Sequence, residues 1–130
     1  MKAEDLMNGD WVMLFGQVTE VWMVDASHED EEGRPIDQLI NYLDASEFEP
    51  IPLTPEILEK NSFLKVEAIE YPSHSVGISF LYRDTPEGLR IFVQNACVGG
   101  PTCTMIKTCK YVHEVQHMIK MCDIERTFVL

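Results

Sequence analysis

The pentapeptide His113-Glu114-Val115-Gln116-His117 is the string in this chain whose residue types and spacing match a known catalytic chemistry. It spells H-E-x-x-H. On a helix, residues four apart share a face, so two imidazoles can reach one zinc ion while the Glu beside the first acts as general base on a metal-bound water. The candidate metal ligands are therefore His113 and His117, the candidate catalytic group is Glu114, and the cofactor implied is zinc. A catalytic zinc also needs a third protein ligand. The chain does not continue into the longer H-E-x-x-H-x-x-G-x-x-H pattern, because Met118-Ile119-Lys120-Met121 occupies that space. Glu125, His28, His74 or an upstream carboxylate remain, and nothing in the sequence favours one of them.

A second arrangement uses Cys109, His113 and His117 at i, i+4 and i+8, with Cys103 near enough to complete four soft ligands of a structural zinc. The spacing of Cys97, Cys103, Cys109 and Cys122 matches no zinc finger or ribbon. Gly99-Gly100 is too short to cradle a phosphate and no Lys-Ser or Lys-Thr follows it, and no Ser stands in a nucleophile elbow. Asp10-Trp11 and Trp22 suit either an exposed aromatic platform or, as is commoner, buried aromatics of a small barrel.

Such ligands need a helix to hold them. Tyr111, Val112, Val115, Met118, Ile119 and Cys122 fall on one side at about 100° per residue, which predicts a helix from about Thr108 to Met121. Both histidines lie nearly opposite that apolar side. They point to solvent, as the charged outer stripe of an amphipathic helix, or into a cleft that another segment must roof. Upstream, Leu53-Thr54-Pro55-Glu56-Ile57-Leu58-Glu59-Lys60-Asn61 predicts a short helix, with Thr54 as cap, Pro55 at the first position, and Glu56 at the positive end.

Before it, Trp11-Val12-Met13-Leu14, Val18 to Val24 and Phe48 to Leu53 read as short strands broken by turns at Asn8-Gly9-Asp10 and Phe15-Gly16-Gln17. Ser27 to Pro35 reads as an exposed loop. Pro35 to Leu43 fits a helical turn or a strand equally. After the short helix, strands are expected near Phe63–Glu70, Ser75–Tyr82 and Leu89–Gln94, with an edge strand at Arg126–Leu130. The fold class expected is α+β. An N-terminal small SH3-like β barrel, residues 1–53, precedes an α-β-β-β-α-β unit, residues 54–130, the two packing as one compact domain.

With 22 acidic against 10 basic residues the formal charge is −12, which repels phosphate backbones and anionic lipid. Direct nucleic-acid and membrane binding are disfavoured. The acidity suits a solvated surface, or one that meets a basic partner. The start, Met1-Lys2-Ala3-Glu4-Asp5-Leu6, has acids where a secretion signal needs apolar residues, so a cytoplasmic protein with reduced thiols is expected.

Three strings carry a resemblance: Asp5-Leu6-Met7-Asn8-Gly9-Asp10-Trp11-Val12, then Ile51 to Phe63, then Tyr111-Val112-His113-Glu114-Val115-Gln116-His117. Together they resemble a family of small uncharacterised proteins encoded in phages, prophages and mobile elements of Bacteroidales gut bacteria. The family's pattern is similar to P-L-T-x-E-x-L-x-K-x-G-F followed later by Y-V-H-x-L-Q. Many relatives carry Gln or Asn at the positions of Glu114 and His117, which implies a helix valued for Tyr111 and Val112 rather than for ligands. This chain departs from the pattern at Asn61-Ser62, where a small residue plus Gly is usual, and in a long Cys97–Cys109 interval.

The resemblance implies a setting and no activity. The function expected is that of a non-enzymatic accessory protein acting on an unknown protein partner through an acidic surface or a strand edge. Two alternatives stand beside it. One is a minimal zinc-dependent hydrolase using the H-E-x-x-H string, and the other is an acidic inhibitor of a nucleic-acid-binding host protein.

Overall fold

The computed structural model describes residues 5–21, 48–69, 77–100 and 102–130. The chain divides into two compact units, Met1–Ile51 and Pro52–Leu130. Among the described residues it is a mixed α+β protein built mostly of strands, with two helices.

The first unit contains β1 (Trp11–Leu14), β2 (Gln17–Glu20) and β3 (Phe48–Pro50) in an antiparallel sheet of order β2-β1-β3. Phe15 at φ 50° and Gly16 at φ 77° make the two-residue turn between β1 and β2. Two successive positive φ values match the right-handed twist of the flanking strands, and Gly16 adopts one without strain. Leu6, Val12, Val21 and Phe48 form the core on one face. The sheet is open among the described residues, where a closed barrel was expected. The expected β continuation through Trp22–Val24, the Ser27–Pro35 loop and the Pro35–Leu43 segment lie outside the described residues.

Asp10 explains the turn before β1. Its carboxylate is fully buried and accepts the Met7 N–H at 2.7 Å, while its backbone carbonyl accepts the Val21 N–H at 2.8 Å. A short acidic side chain bonding backwards to the backbone is what lets this tight segment close. Asp10 is thus a structural residue, and Trp11 beside it is half-buried rather than an open platform.

The second unit opens with α1 (Pro55–Lys60), whose start follows the sequence expectation: Thr54 Oγ1 accepts the Ile57 N–H at 3.3 Å and Pro55 stands in the first turn. A second sheet follows, made of β4 (Leu64–Lys65), β5 (Gly77–Thr85), β6 (Gly88–Ala96) and β7 (Thr102–Cys109) in the order β4-β5-β6-β7. β4 runs parallel to β5 and the other pairs are antiparallel. α2 (Val112–Met121) completes the unit.

Three expectations are corrected here. The Cys97–Cys109 interval holds a strand, β7, because Thr102, Thr104, Met105, Ile106 and Thr108 suit a pleated, half-buried edge. The α2 helix consequently begins at Val112 rather than near Thr108. No strand forms at Arg126–Leu130. That segment is held instead by Asn61, whose amide donates to Val129 O at 2.7 Å and accepts from Val129 N at 2.8 Å. The second unit is therefore α-β-β-β-β-α, not α-β-β-β-α-β.

Its core lies on the helix side of the sheet. Leu58, Phe63, Phe80, Tyr82, Ile91, Val93, Val112, Val115, Met118 and Ile119 are all buried. Tyr82 also donates its hydroxyl to Glu59 at 2.7 Å, which ties β5 to α1. The two resembling strings of this unit meet: Pro52 pairs with Tyr111 as an isolated bridge, and Leu53 N donates to Lys110 O at 2.9 Å.

Candidate functional site

The H-E-x-x-H residues sit in the first two turns of α2. The rings of His113 and His117 lie edge to face with centroids 5.5 Å apart, and Tyr111 stacks on His113 with centroids 6.0 Å apart. Helical spacing accounts for the first pair. His113 is buried at 9% exposure and His117 is half-buried, so this stripe is more covered than an open outer face would be.

Glu114 faces a different task. Its Oε1 accepts the N–H groups of Lys110 at 3.0 Å and Tyr111 at 3.1 Å, and its Oε2 pairs with the Lys107 ammonium at 3.2 Å. Tyr111, the cap residue, has no short side chain to accept an N–H, so Glu114 supplies half of a capping box by itself. It also neutralises the positive end of the helix and links it to β7. Burial opposes ionisation of this carboxyl, but the Lys110 N–H, the Lys107 ammonium and the Tyr111 N–H outweigh it and hold its pKa below the ordinary value. A general base works best with a pKa near the operating pH, and this environment pushes the other way.

Among the described residues the possible third ligands do not gather around the imidazoles. His28 and His74 lie outside the described residues, and Glu125 is exposed beyond the end of α2. Among the described residues no group of three or more His, Cys, Asp or Glu is placed to hold a metal ion. The soft-ligand stripe through Cys109 is broken by the late start of α2. Cys109 belongs to β7, is buried, and its Sγ lies 3.6 Å from the Met118 sulfur. Burial pushes its thiol up to about 12. Burial, with Cys103 beside it, likewise pushes the Cys122 thiol up to about 12. Neither is poised as a thiolate at neutral pH.

Strand edges are the other feature with chemical capacity. Val66 N donates to Tyr82 O at 2.9 Å, so Tyr82 directs its backbone groups away from β6 and towards β4. Alternation along the strand then turns those of Ile78 and Phe80 the same way. Carried through the Tyr82–Ile91 and Ile91–Lys107 pairs, the same alternation turns the backbone groups of Thr102, Thr104, Ile106 and Thr108 outwards on β7. Among the described residues no strand pairs with that outer edge of β7. The sequence reading missed this eight-residue edge, since it placed no strand there.

No helix among the described residues is long and apolar enough to cross a membrane. No family model, curated protein or solved structure matches this chain.

Proposed function

We propose that this is a non-enzymatic, cytoplasmic accessory protein of a Bacteroidales phage or mobile element, and that it acts by protein–protein interaction through a sheet edge. The open N-terminal sheet is read as part of a small barrel of the SH3 kind. The observation that carries the interaction reading is β7, with outward N–H and C=O groups at Thr102, Thr104, Ile106 and Thr108. An uncovered edge of this length is a template for a partner strand unless something blunts it. Lys107, the charged residue of β7, is engaged with Glu114.

Ile106→Pro tests this reading. It removes one outward N–H while sparing the bonds to β6, whereas Lys107→Pro removes a bond that holds the sheet together. Affinity isolation from the host should recover the same stoichiometric partner with wild type and with Ile106→Ala, and lose it with Ile106→Pro at unchanged circular dichroism. Equal recovery with Ile106→Pro would refute the edge reading.

The zinc reading is supported by one feature, the neighbouring imidazoles of His113 and His117. Elemental mass spectrometry of protein purified without chelator or nickel separates it from the first. About one zinc per chain, kept in Glu114→Gln and lost in His117→Ala, is what a metallohydrolase requires.

A further inference from the structure

At the opposite edge of the second sheet, β4 pairs only with Leu81 and Tyr82, although β5 begins at Gly77. Where β4 stops covering β5, a cleft of about 290 Å³ is lined by Ser62, Leu64, Ile78, Ser79, Leu81 and Arg126, with Phe80 at its base. That volume is at the small end of the range for ligand sites. Leu64 is 67% exposed and Ile78 is 52% exposed, an unusual outlay of large apolar side chains beside an uncovered backbone. The N–H and C=O of Ile78 and the N–H of Phe80 line up along this cleft, and no strand among the described residues pairs with Ile78; the Phe80 C=O is already taken by β4 in the Leu64–Leu81 pairing.

The electrostatics of the cleft run against those of the molecule. The chain carries −12, yet the charged group lining this cleft is the guanidinium of Arg126, held 4.7 Å above the ring of Phe80. The ring fixes the cation on its face and leaves the edge N–H donors of the planar fork for an acceptor. A carboxylate is the group that such a fork grips best.

We propose that this cleft binds an extended peptide by strand addition, its backbone pairing with Ile78 and the Phe80 N–H in line with β4, an apolar side chain resting on Ile78, and its carboxylate held by Arg126. The backbone groups supply affinity without regard to sequence, and the Ile78 side chain and the cation supply the selection. The site shares with the β7 proposal the view that this protein binds other chains, but it uses the other edge. Its failure leaves the β7 reading intact, and the Ile106→Pro result does not bear on it.

The test titrates the full, isotopically labelled chain with three synthetic heptapeptides of alternating valine and threonine. One has a free C-terminal carboxylate, one is amidated, and one is amidated but carries a single internal glutamate. We expect the amide signals of Ile78, Phe80 and Leu64 to shift, with the first peptide binding about three- to tenfold more tightly than the amidated one. The third peptide tells which carboxylate is preferred: matching the first assigns a side-chain acid, and matching the second assigns a chain terminus. Arg126→Gln should erase the advantage of the carboxylate while leaving the weaker binding, and Ile78→Pro should remove both. Absence of shifts at these amides, or an undiminished preference in Arg126→Gln, overturns the proposal. So does line broadening of the same amides that grows with protein concentration without peptide, which would make a second copy of the chain the occupant.

Discussion

Glu114 illustrates how one side chain can satisfy a catalytic motif and a structural one. The sequence pattern permits both, because a Glu at the third helical position is also the capping partner of the residue before the helix. The difference is decided by Lys107 and by the Lys110 and Tyr111 N–H groups, which belong to β7 and its exit and are invisible to a search along the helix alone. Glu114→Gln should therefore cost about 0.5–1.5 kcal/mol of stability at neutral pH. The folded-state pKa is lowered, so this contribution is present above the unfolded value near 4.3 and is lost as pH falls through the folded one. Melting curves of the two proteins should differ at pH 7 and converge in acid, and a gap that persists in acid would contradict the cap. A second residue-scale point concerns helix ends. Ser62 at φ 69° and Asp123 at φ 55° each follow a helix C-cap, and Phe63 N to Leu58 O and Ile124 N to Ile119 O close the matching hydrogen bonds. Both are Schellman ends built without glycine; the sequence placed the exits at Asn61 and near Met121, but with Ser62 and Asp123 in the left-handed position it did not show the motif that closes them. Gly adopts this left-handed conformation without strain, so Ser62→Gly should raise stability by about 0.5–1 kcal/mol, measurable by urea titration.

The elements were legible where their signals are local. Thr54-Pro55-Glu56 marked the start of α1, and the turn expected at Arg83–Gly88 is found there, though β5 and β6 pair through Thr85 and Gly88 and shorten it to Pro86-Glu87. β7 and the C-terminal segment were misread for different reasons: β7 pairs with its neighbour β6, but its mix of Thr, Cys and Lys shows no clean apolar alternation, whereas the C-terminal segment depends on a partner distant in sequence. Arg126–Leu130 has strand-forming residues, yet it satisfies its backbone on Asn61, sixty-eight residues from Val129. Asn61→Ala should thus free both Val129 groups and leave the cap weaker, costing about 1–3 kcal/mol and exposing the C-terminal amides to hydrogen exchange. Unchanged protection of Val129 would show that something else holds it. The thiols report on the same packing. Cys109 and Cys122 are buried with pKa values pushed up to about 12, whereas Cys97 is exposed. At pH 8 iodoacetamide should modify Cys97 well before Cys109 or Cys122, and those two only on unfolding. Rapid alkylation of Cys109 in the native protein would contradict its place against Met118.

At the scale of the whole chain, charge is the property most directly read from sequence, and it bears on stability independently of any site. A net −12 with a pI near 4.6 means that folding gathers like charges into a smaller volume. Raising monovalent salt from about 0.01 M to about 0.1 M shortens the screening length from about 30 Å to about 10 Å, which relieves that long-range repulsion. The Lys107–Glu114 pair responds oppositely, since its attraction is screened too, but at 3.2 Å and with Glu114 partly covered it feels salt far less than charges spread across a surface do. The repulsive term should win. We expect the melting temperature to rise by about 3–5 °C over that range, equivalent to about 1 kcal/mol for a chain of this size. Acidification towards the pI should remove the salt effect by protonating exposed carboxylates before it reaches the lowered pKa of Glu114. A melting temperature that falls with salt would mean that attractive pairs dominate the energetics, and that the acid excess is locally compensated rather than spread over the surface.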